Sequence, residues 1–132
     1  MPWTTIQVEK LEDFYIKNDS ESNRVISYKD AIYETLDQSL ARDPRVFILG
    51  EGVDDPAGVF GTTKGLHEKY GRDRVFDTPV SENSITGVAI GAAMAGLRPI
   101  YIHSRMDFLL LSLDQLVNHA SKWSYMFGGK VK

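Results

Sequence analysis

The chain lacks cysteine, has only three histidines among 132 residues, and carries no cationic surplus. Without cysteine there is no disulfide framework, thiolate metal ligand or sulfur nucleophile, which fits a reducing compartment. Lys and Arg number 15 against 18 Asp and Glu, a net charge of −3. Nucleic-acid binding needs a phosphate-neutralising excess of cations and is not expected. No apolar run approaches the roughly 20 residues that cross a bilayer, so no membrane association is expected. The leading residues have neither the basic and apolar regions of a secretory signal nor the Arg-rich, acid-poor composition of a transit peptide. A cytoplasmic location is the expectation. His67, His103 and His119 form no pair at helical spacing, and Asp54-Asp55 has no third ligand at a readable spacing. No metal site is expected. A glycine-rich phosphate loop followed by Lys-Ser/Thr is also missing.

What is present is ordinary globular composition, 42% hydrophobic and 25% charged, in a length suited to one domain. Residues 1–26 keep no sustained apolar period and contain the polar stretch Lys17-Asn-Asp-Ser-Glu-Ser-Asn23. They are taken as an N-terminal arm and linker, with the folded unit at 27–132. From Ser27 the pattern alternates. Ser27 as N-cap, Asp30 in the first turn, and apolar residues at Ala31, Ile32, Leu36 and Leu40 predict a helix that stops at Asp43-Pro44. The continuous apolar run 46–49, ending in Gly50, predicts a buried strand. A short helix over 62–70 closed by Gly71, a strand over 74–76, and a Gly/Ala-rich helix over 82–95 follow. A third strand over 99–102 and a helix over 107–126 complete the pattern. Strands alternating with helices predict an α/β fold, a parallel sheet with flanking helices. Three strands make a thin parallel sheet, so an incomplete domain, or one completed by a partner chain, is expected.

The strongest chemical candidate lies in Asp77-Thr-Pro-Val-Ser-Glu-Asn83, between a strand and a helix. Open parallel sheets bind ligands at the C-terminal ends of their strands. Glu82 falls at such an end and at a helix N-terminus, where it either serves a site or merely complements the helix dipole. Gly87, Gly91 and Ala95 recur every four residues and leave one helix face without bulk, suited to a close helix contact within the fold or across a dimer. Glu51 follows the first strand, as a site acid or a solvated one. Asp114, Gln115, Asn118 and His119 form a polar stripe at helical spacing.

The run Val75-Phe-Asp-Thr-Pro-Val-Ser-Glu82, followed by Gly87-Val-Ala-Ile-Gly-Ala-Ala-Met-Ala-Gly-Leu-Arg-Pro99, resembles the beta subunit of the thiamine-diphosphate-dependent 2-oxo-acid dehydrogenases, of the pyruvate and branched-chain type. Phe47-Ile-Leu-Gly-Glu51, Gly58-Val-Phe-Gly61, Lys69-Tyr-Gly71, Asp114-Gln115 with Asn118, and Tyr125-Met-Phe-Gly-Gly129 match in the same order. The resemblance runs from about Ser27 to Gly129 and implies a transketolase-like pyrimidine-binding domain.

It also implies roles for individual residues. Glu82 would be the acid that shares a proton with the aminopyrimidine ring of thiamine diphosphate and so activates it. Val80 would lie beside that ring and Phe108 would offer it an aromatic face. Glu51 would sit in a polar passage between two active sites. Ser104 stands where the family usually has Gln, and Arg105 follows it, so His103 or Arg105 is a candidate for a substrate carboxylate. The family's beta subunits are well over twice this length, so the chain reads as a truncated member or fragment, inactive alone. The implied parent activity is oxidative decarboxylation with acyl transfer to a lipoyl group. An alpha subunit would hold the diphosphate and Mg²⁺. A lipoyl-bearing acyltransferase and a further copy of the chain are the other implied partners. A non-catalytic assembly module and a stand-alone small-molecule binding domain are the alternatives.

Overall fold

A computed structural model describes residues 25–58 and 60–131; the expected arm over 1–26 lies, but for its last two residues, outside them. Helix α1, Tyr28–Arg42, starts where Ser27 caps it. The Ser27 hydroxyl accepts the Asp30 amide at 3.1 Å and donates to the Asp30 carboxylate at 2.6 Å. Leu36 and Leu40 form the buried stripe of α1. Strand β1, Val46–Gly50, leads through a glycine-punctuated loop to helix α2, Leu66–Tyr70. Strand β2, Val75–Asp77, helix α3, Glu82–Met94, and strand β3, Arg98–Ile102, follow. The remaining helical run is a 3-10 helix over Met106–Ser112, a π-helix over Gln115–Ala120, and helix α4, Ser121–Met126.

The sheet has the order β2-β1-β3 and is parallel throughout, as expected. In register, Ile48 faces Val75 on one side and Ile100 on the other. The period of two sends alternate residues to opposite faces. Val46 and Ile48 of β1 and Val75 of β2 join Leu36, Leu40, Val53 and Leu66 in one core, with Ile100 and Ile102 of β3 packed against it. Phe47 and Phe76 stack on the other face with ring centroids 5.8 Å apart. Pro99 and Tyr101 share that face with Thr86, Ala89, Ile90 and Ala93 of α3. Helices α1 and α2 thus cover one face and α3 the other.

Two elements differ from the sequence expectation. The segment 62–65 is turn rather than helix. Gly65 takes φ +75° just before α2, and the Thr63 carbonyl accepts the Leu66 amide at 3.0 Å. Leu66, fully buried, is the first helical residue, and Thr63 before it is also buried. The second difference is 107–126, which is not one α-helix. Its hydrogen bonding tightens to 3-10 and then widens to π. The change follows its partners, because Ser112 and Gln115 both engage α3, and wide turns of this kind accommodate such demands.

Ion pairs clamp the end opposite the expected site. Asp43 accepts Arg45 at 2.8 Å and Arg98 at 3.1 Å, tying the α1–β1 turn to the start of β3. The Arg74 guanidinium donates to the carbonyls of Leu40, Asp43 and Val46, closing the C-terminus of α1 over the sheet.

Candidate functional site

The chain runs from β1 to β2 on one side, then through α3 to β3 on the other side of β1. Strand order therefore reverses at β1, between β1 and β3, and such a reversal commonly leaves a crevice beyond the strand ends. In open parallel sheets that crevice, outside the C-terminal ends, is where ligands bind. Gly50 keeps the two strand ends close. A Cβ on it would collide with the Ile102 carbonyl oxygen.

Glu51 leaves β1 at this edge and is half-buried. Glu82 opens α3 and is only 7% exposed. Among the described residues no Lys, Arg or His forms an ion pair with its carboxylate. Tyr101, on β3, brings the two acids into one field. Burial first, and then the charges of Glu82 and Glu51, push the Tyr101 phenol above its ordinary value. Sequence reasoning did not single out Tyr101. Its strand position was readable, but its two acidic neighbours come from other elements.

Of the remaining expected residues, Val80 follows β2, and Ser104 and Phe108 follow β3. Ser104 is half-buried two positions past the end of β3. Phe108 is half-buried in the 3-10 helix, and the Arg105 guanidinium lies over its ring at 4.9 Å. Arg105 also approaches Asp107 at 3.5 Å. The Val80 side chain, in the loop before α3, is 78% exposed. Tyr101 and His103 rings lie 4.2 Å apart. Two buried polar atoms near the edge have no hydrogen-bond partner, Thr78 Oγ1 and His103 Nδ1. An adjoining groove of about 270 Å³ is lined by α3, Pro99, Tyr101, His103, Leu109 and Leu116. A larger cavity of about 580 Å³, lined by His67, Arg72, Phe76 and three aspartates, lies at the β2 side, and neither cavity is lined by Glu51, Val80, Glu82, Ser104 or Phe108.

The polar stripe is divided in use. Gln115 donates to Asn83 at 2.7 Å, and Asn118 donates to Asp114 at 2.8 Å. His119 sits edge-on to Trp123 at 4.9 Å. The small-residue face divides likewise. A Cβ on Gly87 would lie 3.2 Å from Gln115 Oε1, whereas Gly91 faces open space.

Glu82, a mostly buried residue with no ion pair among the described residues, is of the residue type that can hydrogen-bond a neutral heterocycle. An aromatic ring and two unpartnered polar atoms at the same edge suit a flat, hydrogen-bonding ligand. The residues present therefore fit the pyrimidine end of thiamine diphosphate.

Comparison with known proteins bears on the family of the chain. The family described as transketolase, pyrimidine binding domain, matches residues 24–132. The chain is 43% identical over 126 residues to "Pyruvate dehydrogenase E1 component subunit beta, mitochondrial" of Dictyostelium discoideum, covering 96% of this chain and 35% of that protein. It is 45% identical to the human protein of the same name, covering 79% of this chain and 29% of that one. It is 46% identical to "Acetoin:2,6-dichlorophenolindophenol oxidoreductase subunit beta" of Cupriavidus necator, covering 83% of this chain and 35% of that protein. The chain thus spans about a third of the length of the curated relatives it matches. Some relatives are mitochondrial by name and another is bacterial, so similarity does not carry the cytoplasmic expectation. No helix among the described residues is long and apolar enough to cross a membrane.

Proposed function

We propose that this chain, which belongs to the transketolase pyrimidine-binding family, supplies the pyrimidine side of a thiamine diphosphate site in a 2-oxo-acid dehydrogenase decarboxylating component. The observation that carries the reading is Glu82, buried, without an ion-pair partner among the described residues, at the point where strand order reverses. When bound, thiamine diphosphate supplies the carbanion chemistry of decarboxylation. Glu82 would hold the acid proton that such a group's ring nitrogen shares. Phe108 would offer its face to the ring, and Val80, exposed in this chain, would lie beside it. Ser104 lies at the substrate side. Arg105, laid over Phe108, directs positive charge towards the carboxylate of an incoming 2-oxo acid. Glu51 carries polar character from this site towards a second one.

The partner is an alpha-type subunit that holds the diphosphate and Mg²⁺, with a lipoyl-bearing acyltransferase as acyl acceptor. Leu110, Leu111, Leu113 and Val117, all exposed on the helical run after β3, supply apolar surface for subunit contact. Residues 27–132 act as the pyrimidine-binding unit, with 1–26 as an arm.

The test is Glu82→Gln in this chain co-expressed with an alpha-type subunit. Shape and one hydrogen-bonding atom survive, and the exchangeable proton is lost. Thiamine diphosphate binding is expected to persist while turnover falls about 10²–10⁴-fold, the range of general acid–base groups. Turnover within about threefold of the parent, far short of that range, would leave Glu82 as a helix-terminus acid.

A further inference from the structure

Glu82 is held by a buried hydroxyl pair that none of its assigned neighbours includes. Ser112 is fully buried, at 0% exposure, and Thr86 is also buried. Their hydroxyl oxygens are 2.7 Å apart. Thr86 Oγ1 lies 2.7 Å and Ser112 Oγ 3.2 Å from the Glu82 carbonyl oxygen. Two hydroxyl protons satisfy this triangle, whichever of the two donates to the other. One turn further on, Gln115 Nε2 donates to Asn83 Oδ1 at 2.7 Å. Ser112 and Gln115 are three apart on the helical run, so both point to one face. The first turn of α3 is therefore tied at two points to the run that also carries Phe108.

We infer that Thr86 and Ser112 are positioning residues that set the distance between the Glu82 carboxyl and the Phe108 ring. The inference rests on the reading of Glu82 and Phe108 as the groups facing the pyrimidine. An ordinary threonine in a helix bonds back to its own preceding turn and does nothing more. Here that bond is joined by a serine from an element 26 residues away in sequence. A buried hydroxyl leaves water only where partners repay its desolvation. The result is a polar link beside a mostly apolar groove that includes Ala89, Ile90 and Leu109, and it fixes the rotation of α3 about its axis. Apolar packing of small residues alone would leave that rotation loose.

Thr86→Val keeps shape and removes one hydroxyl. Thr86→Ser keeps the hydroxyl and serves as the rescue. Thr86→Val with Ser112→Ala removes both polar groups, a change that is nearly neutral for stability when partners are lost together. Two measurements decide. In the chain alone, amide hydrogen exchange at Ile85, Thr86 and Gly87 is expected to quicken about tenfold in Thr86→Val and in the double variant, and to return towards the parent in Thr86→Ser. In the chain assembled with an alpha-type subunit, kcat is expected to fall about tenfold in both unbraced variants, with KM for the 2-oxo acid unchanged. Tenfold corresponds to about 1.4 kcal/mol of transition-state stabilisation. Exchange and kcat both within twofold of the parent overturn the inference. If the parent assembly itself binds no thiamine diphosphate in calorimetry, the functional reading fails and the inference falls with it. Parent binding with an unmoved Thr86→Val overturns the inference alone.

Discussion

Gly50→Ala tests whether the crevice depends on close approach of β1 and β3. The added Cβ would meet the Ile102 carbonyl oxygen, far inside the ~3.3 Å at which carbon and carbonyl oxygen rest. It would also come within 3.2 Å of a Val53 methyl. Backbone cannot rotate aside as a side chain can, so the strand ends must part or the Ile102 peptide must turn. Overpacking of this kind costs about 1–3 kcal/mol. The Gly50 φ of +152° adds backbone strain for any residue with a side chain, of order 1–3 kcal/mol. The expected loss is at least about 2 kcal/mol, from the low ends of those two terms. At roughly 3–6 °C per kcal/mol for a domain of this size, the melting temperature should drop by about 6–12 °C. Urea unfolding followed by circular dichroism measures the loss. Gly65→Ala is the control, because Gly65 has φ +75° but open space around it. It should lose only the backbone term, about 1–2 kcal/mol. A Gly50→Ala protein within 1 kcal/mol of the parent, or no less stable than Gly65→Ala, would refute the contact and with it the narrow crevice.

Three further outcomes are expected. Ile48→Ala, at a fully buried position in the central strand, should cost about 2–5 kcal/mol in urea unfolding. Gly91→Ala, with nothing within 4 Å of the new Cβ, should stabilise the chain by about 0.5–1 kcal/mol through helix propensity, whereas Gly91→Leu should weaken any self-association that sedimentation detects at micromolar concentration. Acid should weaken the clamp at the sheet's other end. Hydrogen bonds from Arg45, and then the charges of Arg45 and Arg98, hold the Asp43 carboxyl down to about 2. A depressed pKa contributes stability above the unfolded value of about 3.9, and that contribution is lost as pH falls towards 2. Urea midpoints between pH 5 and pH 2 should therefore fall less steeply in Asp43→Asn than in the parent.

The legible parts of the fold are those whose causes are local. Ser27 caps its own helix three residues on, and the 46–50 run is apolar because both its faces are covered. The two misread segments take their shape from distant partners. Residues 62–65 yield to Leu66, which is drawn under the sheet. Residues 106–120 depart from the α period where Ser112 and Gln115 meet α3, and no helical spacing encodes a partner some thirty positions earlier. The Gly87/Gly91/Ala95 face shows the same limit. In sequence its members are equivalent, but Gly87 is spent on contact with Gln115 and Gly91 is left open.

The site follows the same division. Glu82 was readable as an acid between a strand and a helix, and Glu51 as an acid after a strand. What joins them is strand order, which no local pattern specifies. Had β3 been added beside β2, β1 would be an edge strand and the two acids would end different crevices. With β3 on the far side of β1, the chain returns over the central strand, and Tyr101 senses both carboxylates. Burial and the charges of both acids thus act together on one phenol, a coupling that arises only from the strand order.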